Sequence, residues 1–215
     1  MTAPRPGGAA LRAARGCLVL FALLAGCGEE VPPLPPLAPG APVLAFGDSL
    51  TYGTGAPAGE DYPSHLADLT GHPVINAGVP GELAAQGRKR LPDLLDEHLP
   101  GLLILLHGGN DLLRRRPPGA LEADLRAMIA AARARGIPVV LLGVPSPGPG
   151  LAVPDLYPRL AAAFGLPYDG ELLRRLERDP RLKADPVHLN GEGYRRLARG
   201  LRDLLARAGA LTPGA

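Results

Sequence analysis

Short apolar runs recur along this chain, each cut off by glycine or proline, and between them lie longer stretches with helical spacing. Val43 to Phe46 and Leu102 to Leu106 have no polar interruption, which predicts strands buried on both faces. Val74 to Asn76, Val139 to Val144 and Leu166 to Tyr168 predict three more. A helix is expected over Asp61 to Leu69, with Leu66 and Leu69 inward and Gly71 after its end. Glu82 to His98 predicts another, bent at Pro92. Leu121, Leu125, Met128, Ile129 and Ala132 share a third helical face that Gly136 closes. Pro154 to Phe164, Leu172 to Leu176 and Asn190 to Ala208 complete the set, the last with Tyr194, Leu197, Leu201 and Leu204 as its inner stripe. Strands alternating with helices imply an α/β protein. Its parallel sheet of about five strands is covered on both faces, because parallel neighbours need crossover connections.

The ends of the chain are of different material. Arg5, Arg12 and Arg15 precede an apolar run of nine residues, Cys17 to Ala25, which is the layout of a secretory signal rather than a membrane span. Leu24-Ala25-Gly26-Cys27 resembles the cleavage box of bacterial lipoproteins. That resemblance implies a signal peptide over 1–26, lipidation of Cys27 and a membrane-anchored periplasmic protein, on the outer membrane rather than the inner. A plain signal peptide with an incidental cysteine, or a short uncut anchor, are the alternatives. Glu29 to Pro42 carries six prolines and no helical period, so an extended tether is expected over 27–42. The rest fits one domain over 43–208 and a flexible tail over 209–215.

Removing residues 1–26 takes three arginines and no acid, so 23 basic against 21 acidic residues become 20 against 21, a balance of −1. The basic precursor is thus an export signal and gives no reason to expect a nucleic-acid partner. With Cys17 removed and Cys27 lipidated no thiol remains, which excludes disulfides, thiolate metal sites and cysteine nucleophiles from the mature domain.

Candidate chemistry sits where the predicted strands end. Ser49 follows the first strand through Gly47-Asp48, at the sheet edge where open α/β folds collect ligands. By itself Gly-Asp-Ser also fits an ordinary turn serine. Near the other end, Asp185-Pro186-Val187-His188 places an acid and an imidazole three positions apart on a proline-stiffened loop. At that spacing the carboxylate can hold the Nδ1 proton and leave Nε2 free as a base, although the pair alone also fits a cap and a solvated side chain. Ser49, Asp185 and His188 together supply the nucleophile, orienter and base of acyl transfer. Gly81, without a Cβ to block its N–H, and Asn110, with a side-chain amide, stand in two further strand-end turns as candidate oxyanion donors.

These residues carry a resemblance. Gly47-Asp48-Ser49-Leu50, Gly81, Gly109-Asn110-Asp111 and Asp185-Pro186-Val187-His188 look like the four blocks of the SGNH hydrolases, also called GDSL esterases and lipases, in order from Leu44 to Leu205. Asn76-Ala77-Gly78 and Gly108 to Arg114 are most similar to the bacterial periplasmic arylesterase and multifunctional acyl-CoA thioesterase/lysophospholipase group. The resemblance implies a flavodoxin-like three-layer α/β/α sandwich, without metal or cofactor. Ser49 would be the nucleophile, His188 the base and Asp185 its partner. The oxyanion hole would be the Ser49 N–H, the Gly81 N–H and the Asn110 amide. The expected substrates are small acyl or aryl esters, acyl thioesters or lysophospholipids, handled by a monomer. Glu82 and Leu189 depart from residues frequent in the group and put substrate preference in doubt rather than activity.

Two other readings compete. The same machinery could deacetylate O-acetylated cell-envelope glycans. A nucleotide- or flavin-binding module would suit Ser49 to Gly55, but would leave Asp185 and His188 without a use. His107 is expected as a hydrogen-bonded strand-end histidine and Arg114 to Arg116 as a solvated turn; His65, His72 and His98 are too scattered for a metal site. The loop from Pro145 to Pro154 has no aromatic residue and gives no sign of a long-chain pocket.

Overall fold

A computed structural model of the chain describes residues 1–3 and 31–211. The expected signal segment from residue 4 on and Cys27 lie outside the described residues, as does the tail beyond 211. Five parallel strands form one sheet: β1 (Val43–Gly47), β2 (Val74–Gly78), β3 (Leu102–Leu106), β4 (Val139–Leu142) and β5 (Tyr168–Asp169), in the order β2-β1-β3-β4-β5. Every residue of β1, β3 and β4 is buried, as uninterrupted apolar strands between two layers require.

Helices α2 (Tyr62–Thr70) and α8 (Gly191–Arg207) pack together, as do α3 (Ala84–His98), α5 (Pro118–Arg133) and α6 (Leu156–Phe164) in sequence. Two helical layers therefore enclose the sheet. Helix α8 buries Tyr194, Leu197, Leu201 and Leu204 as its spacing predicted, and its N-terminus is capped by Asn190, which accepts from the Gly193 N–H at 3.0 Å. The remaining helices are short: α1 (Ser49–Tyr52), α4 (Gly109–Leu113), α7 (Leu172–Glu177) and a 3₁₀ turn at Pro180–Leu182.

The strand order puts a topological switch between β1 and β3. The chain leaves β1 toward β2 on one side and returns to β3 on the other, so the loops above these two strands diverge and leave a crevice. In register, Gly47 pairs with Gly78 on one flank and with Leu106 on the other. The first turn after β1 folds back over these ends so closely that a Cβ on Gly47 would collide with the Leu106 carbonyl and the Thr51 hydroxyl. A Cβ on Gly78 would meet the backbone of Thr51 and Tyr52.

The borders of the domain differ from those expected. From Val31 the Pro-rich segment is docked rather than free. The Leu34 N–H donates to the Ala208 carbonyl at 2.7 Å, and the Leu37 N–H to that of Ala210 at 2.9 Å. Val31, Leu34 and Leu37 recur every third residue, the repeat of an extended Pro-rich chain, and pack against the core. Ala210, expected in the tail, is only 2% exposed. The expected tether and tail thus contribute to the body from 31 to 42 and at 209–210. Among the described residues no helix is long and apolar enough to cross a membrane.

The tight turn after β1 makes a stability prediction. Gly47→Ala should cost about 2 kcal/mol by overpacking, which for a domain of this size lowers the Tm by roughly 5 °C. Calorimetry measures this directly, and an unchanged Tm would mean that α1 can lift off the sheet at no cost.

Candidate active site

The serine turn is built from the strand that precedes it. Asp48 is 2% exposed and caps α1, its Oδ1 accepting from the Leu50 N–H at 3.2 Å. Its Oδ2 accepts from the Gly109 N–H at 3.1 Å, so one carboxylate joins the turn after β1 to the turn after β3. Burial pushes the Asp48 pKa up, against the nearby His107 and the two N–H groups that favour its charge. Ser49 is the first residue of the four-residue α1, half-buried, with a backbone N–H in the first turn where no helical partner exists.

The loop before α8 is held by itself. Lys183 and Leu189 form an antiparallel bridge, and the Ala184 N–H donates to the His188 carbonyl at 3.0 Å. Inside it, Asp185 Oδ1 accepts from the N–H groups of Val187 (2.8 Å) and His188 (2.9 Å). Asp185 Oδ2 stands 2.7 Å from His188 Nδ1, and His188 Nε2 stands 3.0 Å from Ser49 Oγ. Burial opposes ionisation of Asp185. The Val187 N–H, the imidazole and the His188 N–H outweigh it and hold its pKa below the usual carboxylate value. An ionised Asp185 accepts a hydrogen bond from the Nδ1–H, which fixes the tautomer and leaves the Nε2 lone pair facing the serine hydroxyl.

Asn110 donates one amide proton to the Glu82 carbonyl at 3.1 Å and has a second for a ligand. It lines the same cavity as Ser49 and His188. Gly81 lies one residue from that hydrogen bond, in a turn closed by the Glu82 N–H on the Val79 carbonyl (3.2 Å), and its φ of 79° is a conformation that favours glycine. It is outside the lining of the cavity.

Sequence reasoning linked Glu82 to substrate preference and left out Arg90, its partner in the group that joins these turns. The side chain of Glu82 is 6% exposed and accepts from Arg90 at 2.6 and 2.8 Å and lies 3.1 Å from His107 Nε2. Arg90 also donates to the carbonyls of Ala77 (2.8 Å) and Gly47 (3.3 Å), and its guanidinium lies 4.1 Å from the centre of the Phe46 ring. Burial works against the Glu82 charge, but the hydrogen bonds from His107 and Arg90 prevail and lower its pKa. His107 is thus the hydrogen-bonded strand-end histidine that was expected, and it lies behind the site. The one trace in sequence is Gly87, where a Cβ would approach His107 Nε2 to 2.6 Å.

The cavity beside Ser49 has a volume of about 490 Å³. Leu50, Leu113, Val144, Pro145, Leu151 and Val187 give it apolar walls, so the loop after β4 contributes aliphatic rather than aromatic surface. Glu177, Arg178 and Lys183 add charge to the lining. Arg178 donates to the Gly150 carbonyl at 2.8 Å, tying α7 to that loop. Among the described residues no cluster of His, Cys, Asp and Glu could hold a metal ion.

Fold and geometry together define a class: a flavodoxin-like α/β/α protein with a serine, an imidazole and a carboxylate in hydrogen-bonded series at the carboxyl edge of a parallel sheet. The model of the GDSL-like lipase/acylhydrolase family matches residues 45–196, and the chain belongs to that family as a GDSL-type ester hydrolase. An arylesterase of Vibrio mimicus is 36% identical over 129 residues, 55% of this chain and 64% of that protein. The esterase TesA of Pseudomonas aeruginosa is 36% identical over 158 residues, 71% of this chain and 70% of that one. A crystal structure of TesA superposes with a TM-score of 0.71 at 30% identity, covering 76% of this chain and 97% of that one.

Two carboxylates give opposite predictions for stability against pH. Glu82 has a depressed pKa, so its pairing contributes stability above the unfolded value of about 4.5 and loses it as the pH falls. Arg90→Met leaves that carboxylate buried without its main partner, an expected cost of about 3 kcal/mol near neutral pH. In urea unfolding, the gap to the wild type should narrow in acid. For Glu177, burial, opposed by Lys183 and aided by Asp48, pushes the carboxyl from 4.5 up to about 7. The stability it confers in acid is therefore lost as the pH rises through that window. Relative to wild type, Glu177→Gln should gain on the order of 3 kcal/mol between about pH 4.5 and about pH 8. A margin independent of pH would show that this carboxyl is fully solvated.

Proposed function

We propose that the protein cleaves carboxylic esters and thioesters through an acyl-enzyme on Ser49. The observation that carries this reading is the contact between His188 Nε2 and Ser49 Oγ at 3.0 Å, with Asp185 behind the imidazole at 2.7 Å. In the first half-reaction the hydroxyl proton passes to Nε2 as Oγ attacks the carbonyl carbon. The charge that develops on the carbonyl oxygen goes to the N–H groups of Ser49 and Gly81 and to the free amide proton of Asn110. Collapse of the tetrahedral intermediate expels the alcohol or thiol, which takes the proton back from His188. In the second half, His188 removes a proton from water, the hydroxide attacks the acyl carbon, and Ser49 leaves with that proton as the acid is released.

Small acyl and aryl esters, acyl thioesters and lysophospholipids are the substrates we assign. The names of the relatives support esters, and an open cavity with aliphatic walls supports a short or medium apolar acyl group. We also place the mature protein on a periplasmic membrane surface through a lipid on Cys27. The basic start, the apolar run and the small residues before that cysteine support this placement.

A fluorophosphonate should label the protein covalently, and Ser49→Ala should remove the label. On p-nitrophenyl esters Ser49→Ala and His188→Ala should each lose nearly all turnover while melting as the wild type does; full activity in either would refute the mechanism. Asn110→Ala should lower kcat by roughly a hundredfold or more, with a small change in KM. Metabolic labelling with an alkynyl fatty acid tests the anchor: incorporation should depend on Cys27, and an unlabelled wild-type protein removes the lipid from the proposal.

A further inference from the structure

Among the described residues five acidic side chains are buried, and four of them have partners in the fold. Asp48 accepts two N–H groups, and Glu82 is held by Arg90 with His107 alongside. Asp111 accepts from the Ala84 N–H at 2.8 Å and lies 3.4 Å from Arg116, and Asp124 is 3.1 Å from Arg88. Glu177 is different. At 9% exposure it is as enclosed as Asp124, yet among the described residues no group donates to its carboxyl. It ends α7 and lines the same cavity as Ser49 and His188. The two cations beside it are engaged elsewhere: Lys183 donates to the Pro186 carbonyl at 2.7 Å, and Arg178 to that of Gly150. Its oxygens are not sealed off from solvent, so a group that fills the cavity has to replace the hydrogen bonds solvent gives them or leave a carboxyl without a partner, which is costly.

We propose that Glu177, with Lys183 beside it, forms a polar subsite in the acyl cavity that takes an acyl group bearing a hydroxyl. The inference deepens the ester hydrolase reading and rests on it. The chemistry of the neighbours selects the group. An ammonium on the acyl chain would approach the charges of Lys183 and Arg178, and an anionic chain would meet Glu177 itself. A hydroxyl is neutral, and it is both donor and acceptor. It can donate to Glu177 when the carboxyl is ionised and accept from it when protonated, which matters for a group whose carboxyl is pushed by burial to about 7. A wholly apolar chain reaching the same place would leave Glu177 unsatisfied, and that is the source of discrimination.

The test uses three pairs of ethyl esters differing by one hydroxyl: lactate against propionate, 3-hydroxybutyrate against butyrate, and 6-hydroxyhexanoate against hexanoate. Rates of acid release are followed by pH-stat for the wild type, Glu177→Leu and Glu177→Gln. Comparing the hydroxy-to-plain ratio of kcat/KM between proteins cancels the intrinsic reactivity of each ester. In at least one pair the wild-type ratio should exceed that of Glu177→Leu by about tenfold, one lost hydrogen bond to a buried group. Glu177→Gln, which keeps a donor and an acceptor, should retain most of the preference, and Glu177→Leu should turn over ethyl hexanoate faster. Fluorophosphonate labelling of Ser49 reports that each variant keeps an intact site. Ratios equal within twofold in all three proteins, with hydrolysis that still depends on Ser49, would overturn the subsite alone. A wild type inert towards all six esters would overturn the subsite and the ester reading together.

Discussion

The site depends first on the buried pairing of Glu82 with Arg90. Three neighbouring strands, β2, β1 and β3, each deliver part of the constellation within a few residues of their ends: the Gly81 turn, Ser49 and Asn110. Strand ends at the edge of a parallel sheet have carbonyls with no further ladder to enter. Arg90 supplies donors to two of them, Gly47 and Ala77, while its charge is met by Glu82 and its flat face rests on Phe46. Glu82 shares one of its two Arg90-bound oxygens with His107 and gives its own carbonyl to the Asn110 amide. A buried ion pair is a poor argument for stability, since desolvation consumes most of the Coulombic gain. It is a good argument for position, because five donors in a fixed fork admit few alternative arrangements.

The opposite wall is assembled by local geometry. Asp185 to His188 closes on itself through two N–H groups on one carboxylate oxygen, a hydrogen-bonding pattern that an aspartate three residues before a histidine can make without help. This loop is stiff before it meets anything else. The contact with Ser49 spans 139 residues and is set by topology, since the loop leads into α8, which packs beside α2. The two halves therefore have different origins: one is a turn motif, and the other is the consequence of strand order.

That difference explains what could be read from the amino-acid order. The five strands and the long helices were legible because burial on both faces of a parallel sheet demands uninterrupted apolar runs, and amphipathic helices demand a period. Ser49, Gly81 and Asn110 were legible as candidates because each stands at a break after such a run, and Asp185 and His188 because their spacing on a proline-stiffened loop is local. Helices α1 and α4 were not, since four or five residues are too few to show a period, and only their caps at Asp48 and Gly108 betray them. Nor was Arg90. Its partners lie 8, 13 and 43 residues away, and no local spacing encodes a cation that reaches back to two strand ends. The docked Pro-rich segment was missed for a related reason: a repeat of three is the period of an extended chain, which no search for helix or strand detects, so Leu34 and Leu37 read as spacer.

Four carboxylates surround the serine and the imidazole, and the surroundings give them different work. Asp185 and Glu82 accept enough hydrogen bonds to stay charged in spite of burial. For Asp48 burial prevails over its two N–H partners and pushes its pKa up, and for Glu177 it acts with no donor to oppose it. The consequence for His188 is electrostatic. An imidazole that accepts a proton during attack is stabilised by the carboxylate fixed at its Nδ1. Asp48 is instead used by the turn, its two oxygens accepting from the Leu50 and Gly109 N–H groups. The geometry thus separates the acid that orients the base from the acid that shapes the turn: each accepts from two backbone N–H groups, and Asp185 alone also meets the imidazole.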